Sequence, residues 1–197
     1  GCMDSLVTKY TANKRLRSED AYSPDGNPNL RPDYPTIVYT RILKQLYPDV
    51  PVLIGGIEAS LRRLTHYDYW QDKLLPSILY TSGADLLTYG MGEKPNTAIA
   101  RLLMEQDAPI DVHLFRNLMM RHPQQQTVML MDEKEIHGGI RPDDIILHSH
   151  EECLRNKKAQ AENFRHIEEE SNKYHAQRIL QQIDGKWLVV KPPYQPM

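Results

Sequence analysis

The sequence predicts an α/β domain with a Rossmann-like, open and mainly parallel sheet, because one pattern occurs twice. A short apolar run, Val52-Leu53-Ile54, ends at Gly55-Gly56 and is followed at once by a helix-forming stretch. Further along, the apolar residues of 84–89 lead into Gly90-Met91-Gly92 and a second helix. A buried strand that ends in a glycine turn and continues as a helix is typical of parallel α/β folds.

The two glycine turns define the candidate binding site. Open parallel sheets bind ligands at the carboxyl ends of their strands, so both turns should border one crevice. The predicted cofactor-binding or ligand-binding positions are Gly55, Gly56, Glu58, Gly90, Gly92 and Glu93. Neither turn matches a dinucleotide or P-loop fingerprint, and no nucleophile motif surrounds Ser60. The residues alone therefore indicate a crevice formed by backbone and no catalyst.

A helix that begins at Pro35 should pack against this sheet. Proline is well tolerated in the first turn of a helix, where its missing N–H is not needed. Val38, Ile42, Leu43 and Leu46 then fall on one helical face. Because apolar faces of helices normally turn toward the core, we expect this face to be buried.

Residues 57–70, between the two turns, combine a short helix with the densest aromatic cluster of the chain. The helix, predicted over Glu58–Leu64, should bury Leu61 and Leu64 and leave Arg62 and Arg63 in solvent. The cluster His66-Tyr67-Asp68-Tyr69-Trp70 follows. Such rings form recognition surfaces, because they combine apolar area with polar groups, and they also pack loops onto sheets. Both interpretations stay open at this point.

Further elements follow in the second half of the chain. Apolar patterning predicts strands over residues 111–115, 127–131 and 187–190. It predicts one long charged helix up to about residue 171 and a further helical segment over 179–183. We divide the chain into an α/β Rossmann-like domain over 1–147 and a helical extension with a terminal strand over 148–197.

Ser149 and Glu152 have the spacing of a capping box at the start of the long helix. Potential metal ligands surround this position, namely His148, His150, Glu151 and Cys153. Their spacing lacks the paired ligands of structural zinc sites. The sequence therefore favours a helix cap here over a metal site.

Composition excludes several classes of partner. The 197 residues carry 24 Lys+Arg and 26 Asp+Glu, so a net charge of -2 gives no reason to expect nucleic acid. No apolar run is long enough to span a bilayer, and no secretory signal is recognisable, so we expect no membrane partner. Two cysteines far apart favour a reducing, cytoplasmic location. Because the chain starts with Gly1, we expect a piece of a longer protein.

Several motifs resemble the YgiQ-type family of radical SAM proteins. The stretches GGIEASLRR at 55–63 and HYDYW at 66–70 are the most specific, and the similarity extends from 1–22 to the Pro-Pro at 192–193. In that family this region is amino-terminal and is similar to the cobalamin-binding α/β domain that precedes many radical SAM cores. The resemblance implies a larger parent enzyme with a 4Fe-4S cluster and S-adenosylmethionine, whose core domain is the partner of this chain.

The chain departs from a complete radical SAM enzyme in two respects. It contains only Cys2 and Cys153, whereas the cluster needs three thiolates of a C-x-x-x-C-x-x-C motif, so we expect no cluster or other metal here. It also lacks the cobalamin-ligating pattern D-x-H-x-x-G, which argues against cobalamin. We further expect the sheet to be incomplete at its amino-terminal edge.

The leading hypothesis is an accessory domain, inert alone, that serves substrate binding or docking to the catalytic core of an enzyme of unknown substrate. The alternatives are a free-standing small-molecule-binding module that uses the glycine crevice, and a structural protein-interaction domain. An accessory domain should leave apolar surface exposed, whereas a binding module should contain a concave pocket.

Overall fold

The computed structural model describes residues 4–106, 110–121, 126–136 and 139–194. The helices are α1 (Ser5–Lys9), α2 (Pro35–Leu46), α3 (Gly56–Leu61), α4 (Ile78–Ser82), α5 (Glu93–Met104), α6 (Val112–Arg121), α7 (His150–Arg155) and α8 (Lys157–Ser171). The strands are β1 (Leu53–Ile54), β2 (His66–Asp68), β3 (Lys73–Leu75), β4 (Leu86–Thr88), β5 (Thr127–Met131), β6 (Ile145–Ile146), β7 (Ile179–Ile183) and β8 (Lys186–Val190). None of the described helices is long and apolar enough to cross a bilayer.

Six strands form one open sheet in the order β1-β4-β5-β8-β7-β6, and β2 pairs with β3 as a separate hairpin. The pairs β1/β4 and β6/β7 are parallel, whereas the three pairings between them are antiparallel. The α/β class and the open, Rossmann-like sheet are confirmed. The sheet is mixed, with the predicted parallel pairing at its two outer pairs. Residues on both sides of position 147 share this sheet, since β7 and β8 lie between β5 and β6.

A hairpin accounts for part of the antiparallel centre, and it shows that the helix predicted over Ile179–Ile183 is wrong. These residues form β7, which a two-residue turn at Asp184 and Gly185 connects to β8. Both turn residues have positive φ angles, 51° and 72°. Asp-Gly is a preferred pair for this kind of hairpin turn, whose twist matches that of the flanking strands.

The strand predicted over residues 111–115 is also wrong, because this stretch lies at the start of helix α6. Phe115 and Met119 are 2% and 0% exposed, and they pack among the buried residues on one face of the sheet. The two residues are about one helical turn apart, so the Phe115 ring and the Met119 thioether lie on the same face of the helix.

The long helix predicted up to residue 171 is interrupted at Asn156. Ser149 caps α7, since its hydroxyl accepts the backbone N–H of Glu152 at 3.1 Å. Asn156 ends α7 and caps α8, because its side chain accepts the N–H of Lys158 at 3.0 Å. A second cap inside the predicted helix therefore divides it into two.

Buried side chains pack on both faces of the sheet. Neighbouring residues of one strand belong to different clusters, as Leu86 and Leu87 of β4 do, because side chains alternate across a strand. One face packs against α3 and α4, and the other against α5 and α6. The strands that lead into the glycine turns therefore belong to a sheet that helices cover on both faces.

Helix α2 has the opposite orientation to the one predicted. Val38, Ile42, Leu43 and Leu46 are exposed, by 37% to 65%, rather than buried. The inward side of the helix carries Ile37, which packs against the buried core, and the buried Thr40, and polar contacts accompany them. Lys44 pairs with the buried carboxylate of Asp85 at 3.0 Å. Arg41 donates two hydrogen bonds to the carbonyl oxygen of Thr81, at 3.0 and 2.7 Å.

Candidate functional site

The two predicted glycine turns lie side by side at one edge of the sheet. Because β1 and β4 are parallel, with Ile54 opposite Leu87, the turns that follow them leave the same edge. Gly56 and Gly90 have φ angles of 84° and 68°, which residues with a Cβ rarely adopt. The prediction that both turns meet at the carboxyl ends of parallel strands is confirmed.

Ser60, on α3, joins the two turns. Its hydroxyl donates to the carbonyl oxygen of Gly56 at 2.8 Å and accepts the N–H of Gly90 at 3.1 Å. Gly55 approaches β4 so closely that a Cβ there would lie 2.9 Å from Oγ1 of Thr88. The edge is therefore a tightly packed backbone surface, stabilised by the hydroxyl of Ser60.

Gln126, immediately before β5, connects a third strand end to this edge. Its side-chain amide donates to the carbonyl oxygen of Tyr89 at 2.8 Å, and its backbone N–H donates to that of Pro192 at 2.9 Å. The Tyr89 hydroxyl donates to the carbonyl oxygen of Lys191 at 2.5 Å. The carboxyl end of β8 therefore lies beside those of β1 and β4.

A cavity of about 280 Å³ opens at this edge, between α3, the end of α8 and the end of β8. Its size is near the lower end of the range for small-molecule sites. Its apolar walls include Ile179, Val190 and Pro192, and its charged side chains include Arg63 and Glu170. The arrangement provides a concave, mainly apolar site with charged groups in its walls.

Arg63 lies in the wall of this cavity, so the prediction that it lies in solvent is wrong. Its Nη1 donates to the carbonyl oxygen of Ser60 at 2.7 Å, and its guanidinium lies 4.9 Å from the ring centre of Tyr89. Burial lowers the pKa of Arg63 and raises the pKa of the Tyr89 hydroxyl. The turn that follows α3 directs the side chain inward onto the tyrosine ring.

Arg62 and Leu61 also differ from prediction. Arg62 is 9% exposed and pairs with the carboxylate of Asp4, which caps α1. Leu61, predicted to be buried, is 64% exposed. The reason is that Ala59, which is fully buried, marks the inner face of this short helix. Their charge alone predicts that Arg62 and Arg63 lie in solvent, and only tertiary packing reveals their burial.

The predicted site residues differ in their distance from the cavity. Gly90 lines it. Glu58 is 7% exposed and accepts a hydrogen bond from the Ser5 hydroxyl on α1. Gly92 precedes α5, and Glu93 is exposed in the first turn of that helix. Ligand binding by these residues stays a prediction.

The aromatic cluster divides into packed and exposed side chains. Asp68 is 2% exposed and accepts the N–H of Trp70 at 2.8 Å and the hydroxyl of Tyr34 at 2.9 Å. It therefore holds the turn between β2 and β3. Tyr67 and Tyr69 are 56% and 50% exposed, whereas Trp70 is half-buried. Asp68 thus has a packing role, whereas a recognition role of the exposed Tyr67 and Tyr69 stays a prediction.

The potential metal ligands around α7 have other partners. His148 contacts the carboxylates of Glu152 and Glu162, at 3.0 and 2.8 Å. The buried Cys153 thiol accepts a hydrogen bond from Asn163 at 3.1 Å, and burial raises its pKa to about 11. The Cys153 side chain is 1% exposed, so it packs as a residue of the core. Within the described ranges, no group of three or more His, Cys, Asp or Glu is arranged to hold a metal ion.

The family model described as Radical SAM N-terminal matches residues 1–197. A UPF0313 protein of Bacteroides thetaiotaomicron is 61% identical over 201 residues, which cover 100% of this chain and 32% of that protein. A UPF0313 protein of Porphyromonas gingivalis is 57% identical, over 100% of this chain and 30% of that protein. One from Rhodopseudomonas palustris is 39% identical, with the same coverage of 100% and 30%. No solved structure matches the chain.

The chain thus spans about a third of the length of these curated relatives, as the shares of 32% and 30% state. The GGIEASLRR and HYDYW stretches that suggested a radical SAM relationship contribute the turn after β1, Arg63 and the β2–β3 hairpin. Since the family model covers the chain from its first residue to its last, the chain belongs to the Radical SAM N-terminal family.

Proposed function

We propose that this chain is the amino-terminal accessory domain of a radical SAM iron–sulfur enzyme, and that helix α2 docks onto the catalytic core of that enzyme. The observation that carries the proposal is the exposed apolar side of α2. We call this surface the α2 outer face and define it as Val38, Ile42, Leu43 and Leu46. About 70% of the length of each matched relative lies outside the matched region, which is ample for a core domain to cover this face.

Exposure of the apolar side chains of the α2 outer face to water is unfavourable in free energy. Burial of a Leu or Ile side chain contributes roughly 1.5–3 kcal/mol, and four such residues share one side of a single helix. Contiguous apolar patches of this kind mark interaction surfaces in soluble proteins. A partner that covers the α2 outer face would gain this burial energy.

The helix cannot easily turn its apolar side inward. Rotation would break the ion pair between Lys44 and Asp85, and Asp85 is only 1% exposed. Rotation would also break the hydrogen bonds from Arg41 to Thr81. Removing one partner of a buried ion pair is strongly destabilising, so the polar contacts fix the apolar side outward.

The proposal assigns the chemistry to the core domain and none to this chain. A 4Fe-4S cluster and S-adenosylmethionine would supply radical chemistry there, in a reducing cytoplasm that preserves thiolate ligands. The described residues support this division, because Cys153 is buried and protonated, with a pKa of about 11. The domain would contribute a scaffold, a docking surface and the cavity at the glycine edge.

The experiment compares hydrogen–deuterium exchange in the 197-residue chain and in the full-length protein. We expect amides of α2 to exchange more slowly in the full-length protein, because the core would cover that helix. Equal exchange of α2 in the two proteins would contradict docking at this face.

A matched pair of double variants tests the same surface. Ile42→Glu with Leu46→Glu should destabilise the full-length protein and leave the 197-residue chain nearly unchanged, since both side chains are exposed in the latter. The control is Leu154→Glu with Phe164→Glu, at positions 56% and 61% exposed on α7 and α8. If the control destabilises the full-length protein as much as the α2 variant does, α2 is not the docking surface.

A further inference from the structure

The cavity at the glycine edge contains an arginine whose environment differs from that of every comparable arginine in the described chain. Five arginines of the described residues are buried or half-buried. Four of them contact a carboxylate, in the pairs Arg31–Asp20, Arg62–Asp4, Arg116–Asp85 and Arg178–Asp144. Within the same described ranges, Arg63 has no carboxylate at ion-pair distance. A buried charge without a counter-charge is costly, so Arg63 requires a separate explanation.

The guanidinium of Arg63 is held in position by uncharged partners. Glu168 acts on it from beyond ion-pair distance, but burial outweighs this effect and lowers the pKa of Arg63. One nitrogen, Nη1, donates to the Ser60 carbonyl oxygen at 2.7 Å, and the plane is fixed by the Tyr89 ring at 4.9 Å. Its Nε is buried and has no hydrogen-bond partner among the described residues, which is also true of the Nε atoms of Arg62 and Arg116. What distinguishes Arg63 is that it lines a cavity and has no carboxylate at ion-pair distance in the described ranges, and such a guanidinium can bind an oxyanion through its other N–H groups.

The rest of the cavity favours an anion of low charge with an apolar body. Ile179, Val190 and the prolines at 192–193 supply apolar wall. Glu170 is the acidic group of the lining, and its carboxylate already pairs with Lys173 and accepts the N–H of Gln177. A second negative charge in the ligand would be repelled by Glu170, so a phosphate dianion is disfavoured relative to a carboxylate.

Lys191 does not add a second cation to the cavity. It lines the cavity, but its ammonium donates to the carbonyl oxygen of Met119 on α6 at 2.7 Å. Arg63 is therefore the cation positioned to meet a ligand in this part of the described chain.

We propose that this cavity binds a small carboxylate, with the carboxylate group on the Arg63 guanidinium and an apolar chain or ring against Ile179, Val190 and the prolines. This site rests on Arg63 and on the cavity that it lines, and it goes beyond the docking role of α2. The two proposals fail separately, because the α2 outer face contributes no residue to the cavity lining.

Titration of the ¹⁵N-labelled 197-residue chain followed by NMR tests the site with three probes. These are hexanoate, hexylamine as the cation of matched length, and inorganic phosphate. We expect saturable shifts of the Gly90 amide and the Arg63 Nε–H with hexanoate, and weaker or no effects with the other two probes. Retention of ¹⁴C-hexanoate by the full-length protein in equilibrium dialysis gives a second readout.

Two arginine variants complete the test. Arg63→Met should bind hexanoate at least about tenfold more weakly, since a charge-assisted hydrogen bond is lost. Arg165→Met, which changes an exposed arginine of α8, should bind it as the wild type does. A dispersed NMR spectrum shows that each variant is folded. Equal affinity of Arg63→Met and wild type, a preference for hexylamine or phosphate, or no saturable hexanoate binding in either readout would overturn the proposal.

Discussion

The two edges of the sheet differ in whether a charged side chain has a partner of opposite charge. At the edge where β4 begins, Asp85 is 1% exposed and is compensated by Lys44 at 3.0 Å and Arg116 at 2.9 Å. It also accepts the backbone N–H of Val52 at 2.8 Å. At the edge where β4 ends, Arg63 has no carboxylate at ion-pair distance among the described residues, and it donates to the Ser60 carbonyl oxygen at 2.7 Å.

This difference separates a structural edge from a candidate functional one. Asp85 connects α2, α6 and the residue before β1, so its charge is needed to hold these elements together. Arg63 contacts the Ser60 carbonyl oxygen and the Tyr89 ring, and burying a cation without an ion-pair partner is costly, so we expect it to lower stability. A residue that costs stability and lies in a cavity is best explained by what the cavity binds.

The largest expected effect is at the structural edge. Asp85→Asn keeps the shape of the side chain but leaves Lys44 and Arg116 without a counter-charge. We expect it to lower the free energy of unfolding by about 3–5 kcal/mol, measured by urea denaturation. Asp49→Asn, at an exposed carboxylate of a nearby loop, is the control and should change little. A loss no larger than that of the control would mean that the edge does not depend on Asp85.

A smaller effect is expected at the glycine turns. Gly56→Ala introduces a Cβ at a φ angle of 84°, so it should cost roughly 1–3 kcal/mol of stability. Gly92→Ala, at a φ angle of -81°, avoids this strain and should cost less. Thermal unfolding of both variants checks the difference. If the two lose equal stability, backbone strain does not explain the glycine at position 56.

The smallest expected effect is the pH dependence that His148, which follows β6, gives to the free energy of unfolding. Hydrogen bonds that His148 donates to the carboxylates of Glu162 and, less strongly, Glu152 raise its pKa above the ordinary value. A raised pKa in the folded state stabilises the protein fully below the unfolded pKa, and this contribution is lost as the pH rises through the folded pKa. The side chain is 35% exposed, so solvent screening keeps the contribution small.

Urea midpoints at pH 5.5 and 8.5 in the wild type and in His148→Gln measure this contribution. The stability advantage of the wild type should shrink at the higher pH. Burial lowers the pKa of His66 and His150, which gives the opposite trend, but both residues are present in both proteins and cancel in the difference. An advantage that grows with pH would contradict the assigned role of His148.

Local patterns predicted the glycine edge. Two apolar runs that end in glycines specify strand, turn and helix from neighbouring residues alone, and the parallel pairing of β1 and β4 follows from the helical crossover between them. The Asp184-Gly185 pair was an equally local signal for the β7–β8 hairpin. It was outweighed by the apolar residues Ile179, Leu180 and Ile183, whose spacing also suits a helix.

The features that matter most for function depend on contacts between distant parts of the chain. The α2 outer face has the pattern of a core-facing helix, and only the pairing of Lys44 with Asp85 shows that it faces outward. Arg62 and Arg63 are adjacent and alike in sequence. Arg62 forms an ion pair with Asp4, whereas Arg63 lies over the Tyr89 ring. No local sequence rule predicts this difference.

These adjacent arginines provide the most direct test of the account. The free energy of unfolding is measured by urea denaturation for Arg62→Met and Arg63→Met, each relative to wild type. Arg62→Met leaves Asp4 buried and unpaired, so we expect a loss of about 3–5 kcal/mol. Arg63→Met removes a half-buried charge that has no ion-pair partner among the described residues, so stability should stay the same or rise. A loss in Arg63→Met as large as that in Arg62→Met would show that Arg63 is a structural residue and would contradict the account.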